Sequence, residues 1–249
     1  MALRNSLYAV TISSALLCLL FLAGPCKGEA GNADPTREIV ASMLQAYGGD
    51  ASVRKVVSVT AKGRIIEFLN GKEGSYRRYF ERPRKLRIEV MPEQGGEIRV
   101  LNGDKGWQVS SERFIPVSPL ELQSMIYQYS YLDLPMGMVG DKSRITYGGK
   151  QHYKGREVFL LLIEPNDAPR LKVLIDARTR LIVRVSASFS MGMMGAGELS
   201  TEYGDFRPAG GVLFPYKLVN FAGDMKLSEI TMDVIEVNRG ISHELFVPH

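Results

Sequence analysis

The sequence predicts a mainly β domain with a few helices, its strands antiparallel and roughly ten or eleven in number. Three observations carry that expectation. From Val56 onward apolar residues recur at every second position, as where Leu86, Ile88 and Val90 alternate with Arg87 and Glu89, the period of half-buried strands. Turn residues punctuate these runs at regular intervals, the signal of hairpins. Helical spacing is confined to two stretches, one before the first strand and one near the middle of the chain.

The chain opens with Arg4 and an apolar run from Leu7 to Gly24, followed by Pro25 and small residues up to Ala30. That pattern is a secretory signal peptide over residues 1–30, too short and too quickly broken to serve as a permanent membrane anchor. Cys26 raises the alternative of a lipid-anchored form. Pro25 beside it departs from the usual lipobox, so an anchor at Cys26 is the less favoured reading. With Cys18 inside the apolar run and cleavage after Gly28 or Ala30, the exported chain holds no cysteine, which excludes disulfides and cysteine-ligated metal.

Residues 31–249 are expected to form one domain, large enough to bury a core without staples. Without Arg4, Lys27 and Glu29, 29 basic and 26 acidic side chains remain, an excess of +3. So small an excess argues against a nucleic-acid partner and does not oppose an anionic lipid surface.

A first helix is expected over residues 37–47: Asp34 can cap it, Pro35 suits its first turn and Gly48-Gly49 stops it. Ile39, Val40, Met43, Leu44 and Tyr47 give it one apolar face. Strands follow. Ile66 and Phe68 are expected on one face of an early strand, and Leu181, Val183, Val185, Ala187 and Phe189 on one face of a late one. Asn70-Gly71, residues 102–106, Gly148-Gly149, Pro165-Asn166-Asp167 and Ala222-Gly223-Asp224 read as hairpin turns. Between them, Ser118 as cap, Pro119 at the first position and Glu121 in the first turn predict a second helix over residues 120–131, with Leu122, Met125, Ile126 and Tyr129 at helical spacing. Residues 132–140, apolar but rich in Gly and Pro, read as a mobile loop. Val158 to Ile163 is apolar without alternation, a strand expected to be covered on both faces. Four or five strands would precede the second helix and five or six would follow it.

Catalytic signatures are absent from the sequence. There is no Gly-x-Ser-x-Gly elbow, no phosphate-binding glycine loop and no second histidine four residues after His243-Glu244. Three histidines and no exported cysteine make neither a metal centre nor a cofactor site. Asp104 and Asp205 sit in Gly-flanked turns, where an aspartate serves its own backbone. Trp107 either packs in the core or lines a ligand cavity. Met191, Met193 and Met194 lie among glycines, as do Met136 and Met138. Such methionines can form an adaptable surface for an apolar ligand or plain packing, and copper(I) is a third reading that no neighbouring His or Cys supports.

Several pieces in order resemble the periplasmic lipid and lipoprotein carriers related to LolA and LolB. They are residues 44–49, residues 101–107 ending at Trp107, residues 174–181 with Asp176 and Arg178, residues 203–215 closing on Phe214-Pro215, and residues 237–241 followed by Leu245-Phe246. The resemblance spans nearly all of the exported chain. It implies an unclosed, strongly curved antiparallel half-barrel capped by helices, whose concave face holds acyl chains, in a superfamily that also contains an envelope-stress sensor related to RseB. The matched positions are turns, so no family binding residue carries over, and the basic residue of the carrier's cavity has no visible counterpart.

The reading that follows is a periplasmic, non-enzymatic protein that holds a lipid or an acylated lipoprotein and exchanges it with an inner- or outer-membrane complex in outer-membrane trafficking. The expected cavity residues are Phe68, Leu86, Ile88, Val100 and Trp107 from strands, Leu122, Ile126 and Tyr129 from the second helix, Met136 and Met138 from the loop, and Phe189, Met191 and Met193 from the late strand and its turn. The rival is an envelope sensor or scaffold that binds a membrane partner. An enzyme acting on envelope lipid or glycan is a third class, for which no nucleophile with a base is visible.

Overall fold

A computed structural model describes residues 34–93, 95–110, 113–139, 143–166, 168–190 and 196–248. The expected signal peptide lies outside these residues, as do Cys18, Cys26, Met191, Met193 and Met194. Helix α1 (Thr36–Ala46) and the short α2 (Asp50–Arg54) precede six strands: β1 (Ser58–Glu67), β2 (Lys72–Glu81), β3 (Lys85–Pro92), β4 (Glu97–Asn102), β5 (Lys105–Ser110) and β6 (Arg113–Pro116). Helix α3 (Pro119–Leu132) and a 3-10 turn (Met136–Met138) come next. Seven strands complete the sheet: β7 (Ser143–Tyr153), β8 (Arg156–Pro165), β9 (Leu171–Asp176), β10 (Ile182–Ser190), β11 (Ala196–Ala209), β12 (Val212–Ala222) and β13 (Met225–Val237). A second 3-10 turn (His243–Phe246) ends the described chain.

All thirteen strands join in one antiparallel sheet of order β6-β5-β4-β3-β2-β1-β13-β12-β11-β10-β9-β8-β7. Two meanders therefore meet where β1 pairs with β13, and β6 and β7 are left as free edges, so the half-barrel is unclosed. Only α3 and its flanking loops connect those two edges in sequence, and α3 packs into the core between them.

The strand count exceeds the expectation on both sides of α3. β6 has four residues, too few for alternation to show. Gly148-Gly149, expected as a hairpin turn, is instead a bulge within β7, where the register shifts between Tyr147 and Gly149 and Gly149 takes φ +103°. The corner expected around Asp205 also lies inside a strand, β11: Asp205 takes φ +51°, and the register is the same on both sides of it, with Gly204 opposite Lys217 and Phe206 opposite Pro215.

Alternation sets two possible faces, and the strand's partners decide which one turns inward; on β10 a bulge also changes the phase. On β1 it is Val59, Ala61 and Ile65 that turn inward, while Ile66 is 37% exposed and Phe68, one residue beyond the strand, is 44% exposed. The expected face for Ile66 and Phe68 is thus one residue out of phase. On β10 an irregularity between Ile182 and Arg184 sends Val183 outward, where it packs with Val158 and Leu174 in a small second cluster. That cluster covers the outer side of β8 at Val158 and Leu160, in keeping with the unbroken apolar run there.

α1 is fixed against the sheet by Tyr47, the residue at its C-cap. The Tyr47 carbonyl accepts from Leu213 N–H, and its buried hydroxyl accepts from Ile182 N–H at 3.3 Å. Desolvation raises that phenol's pKa. Gly48, at φ +120°, lets the chain turn against β12: a Cβ there would lie 2.3 Å from the Gly211 carbonyl oxygen.

α3 begins as its sequence predicts, with Ser118 and Glu121 forming a reciprocal capping box and Pro119 in the first turn. The following segment is not a free loop. Met136 and Met138 are buried in the main core, and Asp133 ion-pairs with Arg82 at 2.8 Å. Arg82 also donates to the Met136 carbonyl, so the 3-10 turn is tied to the end of β2.

Candidate functional site

The space between α3 and the inner face of the sheet is the candidate site. Met125, Tyr127, Tyr129 and Tyr131 are all buried although they alternate along a helix. An exposed amphipathic helix cannot bury such a set on one stripe; α3 buries opposite sides because the curved sheet wraps it. Tyr129 stacks on Phe80 with centroids 5.0 Å apart. Tyr127 meets Phe189 edge to face at 5.8 Å, and Tyr131 meets Tyr203 at 6.4 Å. Gly106 on β5 makes room at the other flank, since a Cβ there would approach Leu122 and Met125 within 3.2 Å.

Polar groups are built into this apolar setting. Tyr127 donates to the Val185 carbonyl at 3.1 Å and lies 3.3 Å from Thr201 Oγ1, which donates to Asn220 Oδ1. Asn220 Nδ2 donates in turn to Ser228 Oγ, and Tyr203 donates to the Tyr131 carbonyl at 2.8 Å. Among the described residues no backbone group of α3 joins the sheet's hydrogen-bond ladder.

Two arginines share this face. The register places Arg78 of β2 opposite Ile88 of β3, and Ile88 opposite Arg99 of β4, so the guanidiniums flank Ile88 in one row across the sheet. Arg99 ion-pairs with Glu97 at 3.0 Å. Arg78 is 5% exposed, its Nε has no hydrogen-bond partner, and no carboxylate among the described residues pairs with it. The Tyr76 hydroxyl is buried beside it, and burial raises that phenol's pKa against the pull of Arg78 and Arg99. Burial pushes the Tyr131 phenol up to about 12, against the opposing pull of Gln128, Arg78 and Arg99.

Three spaces run in series along α3. A groove of about 530 Å³ is lined by Leu120, Ser124, Phe189, Ala196, Leu199 and Ala222. A polar cavity of about 150 Å³ follows, between Ser124, Tyr127, Gln128 and Tyr131 of the helix and Arg99, Thr201, Asn220 and Ser228 of the sheet. A crevice of about 20 Å³, room for one water, lies beyond Tyr131 against Arg78, Phe80, Tyr203 and Phe214. Ser124 and Leu199 border the first two, and Tyr131 the last two.

The structure distributes the sequence-predicted residues unevenly. Leu86, Ile88 and Phe189 are buried on the inner face, Tyr129 packs against it from α3, and Leu122 and Ile126 lean on the same core. Met136 and Met138 sit in that core through the 3-10 turn. Val100 is buried on the outer face, because it pairs with Arg87 and Trp107 while the inward positions of β4 are Arg99 and Leu101. Trp107 is half-buried on that outer face too. The end of the chain packs there: Arg87 donates to the Leu245 carbonyl and Asn102 to that of Phe246. Phe68 stands exposed, with the Lys226 ammonium 4.1 Å above its ring.

Sequence reasoning missed Tyr76, Arg78, Arg99, Tyr127 and Tyr131. The signal for the first two is the run Tyr76-Arg77-Arg78-Tyr79-Phe80, whose alternation puts Arg78 between two inward aromatics. A charged residue in such a pattern reads as solvent-facing until the other half of the sheet is known to cover it.

No protein-family model matches the chain, and no curated protein does. Solved structures do. A domain from Vibrio parahaemolyticus called an outer membrane lipoprotein-sorting protein domain superimposes with TM-score 0.53 at 13% identity, covering 84% of this chain and 94% of that one. A LolA superfamily protein from Nitrosomonas europaea gives TM-score 0.50 at 11% identity over 85% and 97% of the two chains. A DUF1329 family protein from Desulfovibrio piger gives TM-score 0.53 at 12% identity over 86% and 98%. The chain has a LolA-like fold, as its turn motifs implied.

Proposed function

We propose that this protein is an exported, periplasmic, non-enzymatic carrier that holds the acyl chains of a lipid or lipoprotein between its half-barrel and α3, in outer-membrane lipid or lipoprotein trafficking. The observation that carries the reading is the mode of attachment of α3. The helix crosses the inner face through side-chain packing and tyrosine hydrogen bonds, without a backbone-to-backbone bond to the sheet among the described residues. It can therefore lift as a unit and leave every strand paired. Lifting it would uncover Leu86, Ile88 and Phe189 on the sheet and Leu122, Ile126 and Tyr129 on the helix, with Met136 and Met138 at its end. Such a surface is unfavourable in water at about 25 cal/mol per Å², and an acyl chain can take the place of the helix. The fold shared with a lipoprotein-sorting domain supports the same reading, and a membrane transport complex is the partner it implies.

The test is the mass of the protein purified from the periplasm without detergent, native against denatured. The expected result is added mass of lipid size, or uptake of added phospholipid, and loss of that retention in Ile126→Asp while the β circular-dichroism signal persists. A bare mass with no uptake would overturn the carrier reading and favour a sensor or scaffold that binds a membrane protein.

A further inference from the structure

We propose that the three spaces along α3 form one amphiphile site that takes a single-chain lipid with an anionic head, carboxylate or phosphate, and takes it head inward. This rests on the carrier reading and deepens it. Ser124 and Leu199 are shared walls of the first two spaces and Tyr131 of the last two, which sets an apolar groove, a polar cavity and a basic crevice side by side in that order.

The charges along the path give the orientation. At the groove stand Glu121 and Glu198. Glu121 is bound to Ser118, and Glu198 faces Arg184 at 3.5 Å and Lys172 at 3.7 Å on the outer side. At the inner end stand Arg99 and Arg78. The mouth carboxylates are thus already engaged, Arg99 shares its charge with Glu97, and the uncompensated positive charge that attracts an anionic head lies inside, at Arg78.

Arg78 supplies the reason for a ligand. A buried guanidinium without a carboxylate is costly to the fold, because desolvation is not offset by a counter-charge. Its Nε is an unsatisfied buried donor in the same row of the sheet as Arg99. Ser200 Oγ, on the border of the polar cavity, is a second unsatisfied group. A carboxylate or phosphate in the polar cavity meets Arg99 and Ser200 there, with the charge of Arg78 one side chain away across Tyr131. The polar cavity is too small for an acyl chain, while the groove, at about 530 Å³, is of ligand size and apolar. The head therefore belongs inside and the tail outside, along Leu120, Phe189 and Leu199.

Titration of the delipidated protein with palmitate, palmitoyl lysophosphatidate and 1-monopalmitoylglycerol tests this. The expected result is that at least one anionic probe binds about tenfold or more tighter than the uncharged one, the size of one charge-assisted contact. The two anions tell carboxylate from phosphate. Arg99→Gln and Arg78→Met should each reduce the discrimination between charged and uncharged probes. Arg78→Met should also melt at or above the parent temperature, since it removes a buried charge and orphans no carboxylate. Equal affinity for charged and uncharged probes, or discrimination unchanged in both variants, would overturn the head-inward site and leave the carrier reading standing. Failure of all three probes, and of phospholipid, would overturn both.

Discussion

Gly48 shows how much one hydrogen atom in place of a methyl can decide. It combines φ +120° with a backbone oxygen 2.3 Å from where a Cβ would lie, so strain and clash cannot be relieved by rotating a side chain. Gly48→Ala should destabilise the protein by about 2 kcal/mol or more, seen as a lower thermal midpoint, with α1 losing its anchorage first. Its neighbour Gly49 meets nothing closer than 3.9 Å, from a flexible glutamine tip, so any penalty there comes from its φ of +90° alone. The glycine pair was legible in the sequence as the stop of a helix. That only one of the two touches the β11–β12 turn was not, because the contact is with Gly211, far away along the chain. The same limit hid Arg78: its two flanking aromatics are visible in sequence, whereas the helix that covers it lies some fifty residues on.

Elements are held by local devices that the sequence does spell out. The capping box of α3 joins Ser118 and Glu121 through side chain and backbone in both directions. Ser118→Ala should cost about 1 kcal/mol and loosen the first turn of α3, measurable as faster amide exchange there. A second device joins distant elements. The ammonium of Lys154, in the β7–β8 turn, donates to both oxygens of Glu202 on β11 at 2.6 and 2.7 Å, while the Tyr153 hydroxyl donates to the same carboxylate. Burial works against the Glu202 carboxylate, but these bonds and the nearby Arg184 outweigh it and hold its pKa below the ordinary glutamate value. A carboxyl with a depressed folded pKa stabilises the fold above its unfolded value, about 4.3, and the gain disappears as the pH falls through the folded value. The melting difference between the parent and Glu202→Gln should therefore be present at neutral pH and vanish in acid. A difference that stays constant down to low pH would show that the carboxylate's charge is not what ties β7–β8 to β11.

At the scale of the molecule, the sheet and α3 differ in kind. Every inner strand is paired on both sides, β1 and β13 with each other across the middle, whereas α3 is held by packing and hydroxyls. Hydrogen exchange should show α3 and the turn at Met136–Met138 opening before β1, β2 and β13, and a bound amphiphile should slow α3 most. Protection of α3 equal to that of the central strands would mean that the helix lifts only with global unfolding, which a carrier could not use.

The sequence by itself determined the class of elements, their order and most of their ends: alternation gave strands, capping chemistry gave α3, and Asn-Gly, Gly-Asp and Pro-Asn dipeptides gave turns. Those are consequences of interactions within a few residues. Tertiary structure alone decided which face of each strand turns inward, so that Ile65 and not Phe68 is buried there and Val100 and Trp107 face the outside. It also decided that residues 132–139 are pinned by Arg82, and that two arginines in different strands lie in one row beneath a helix. A one-residue slip reverses every face of a strand, and the register that prevents it is set by partners far along the chain.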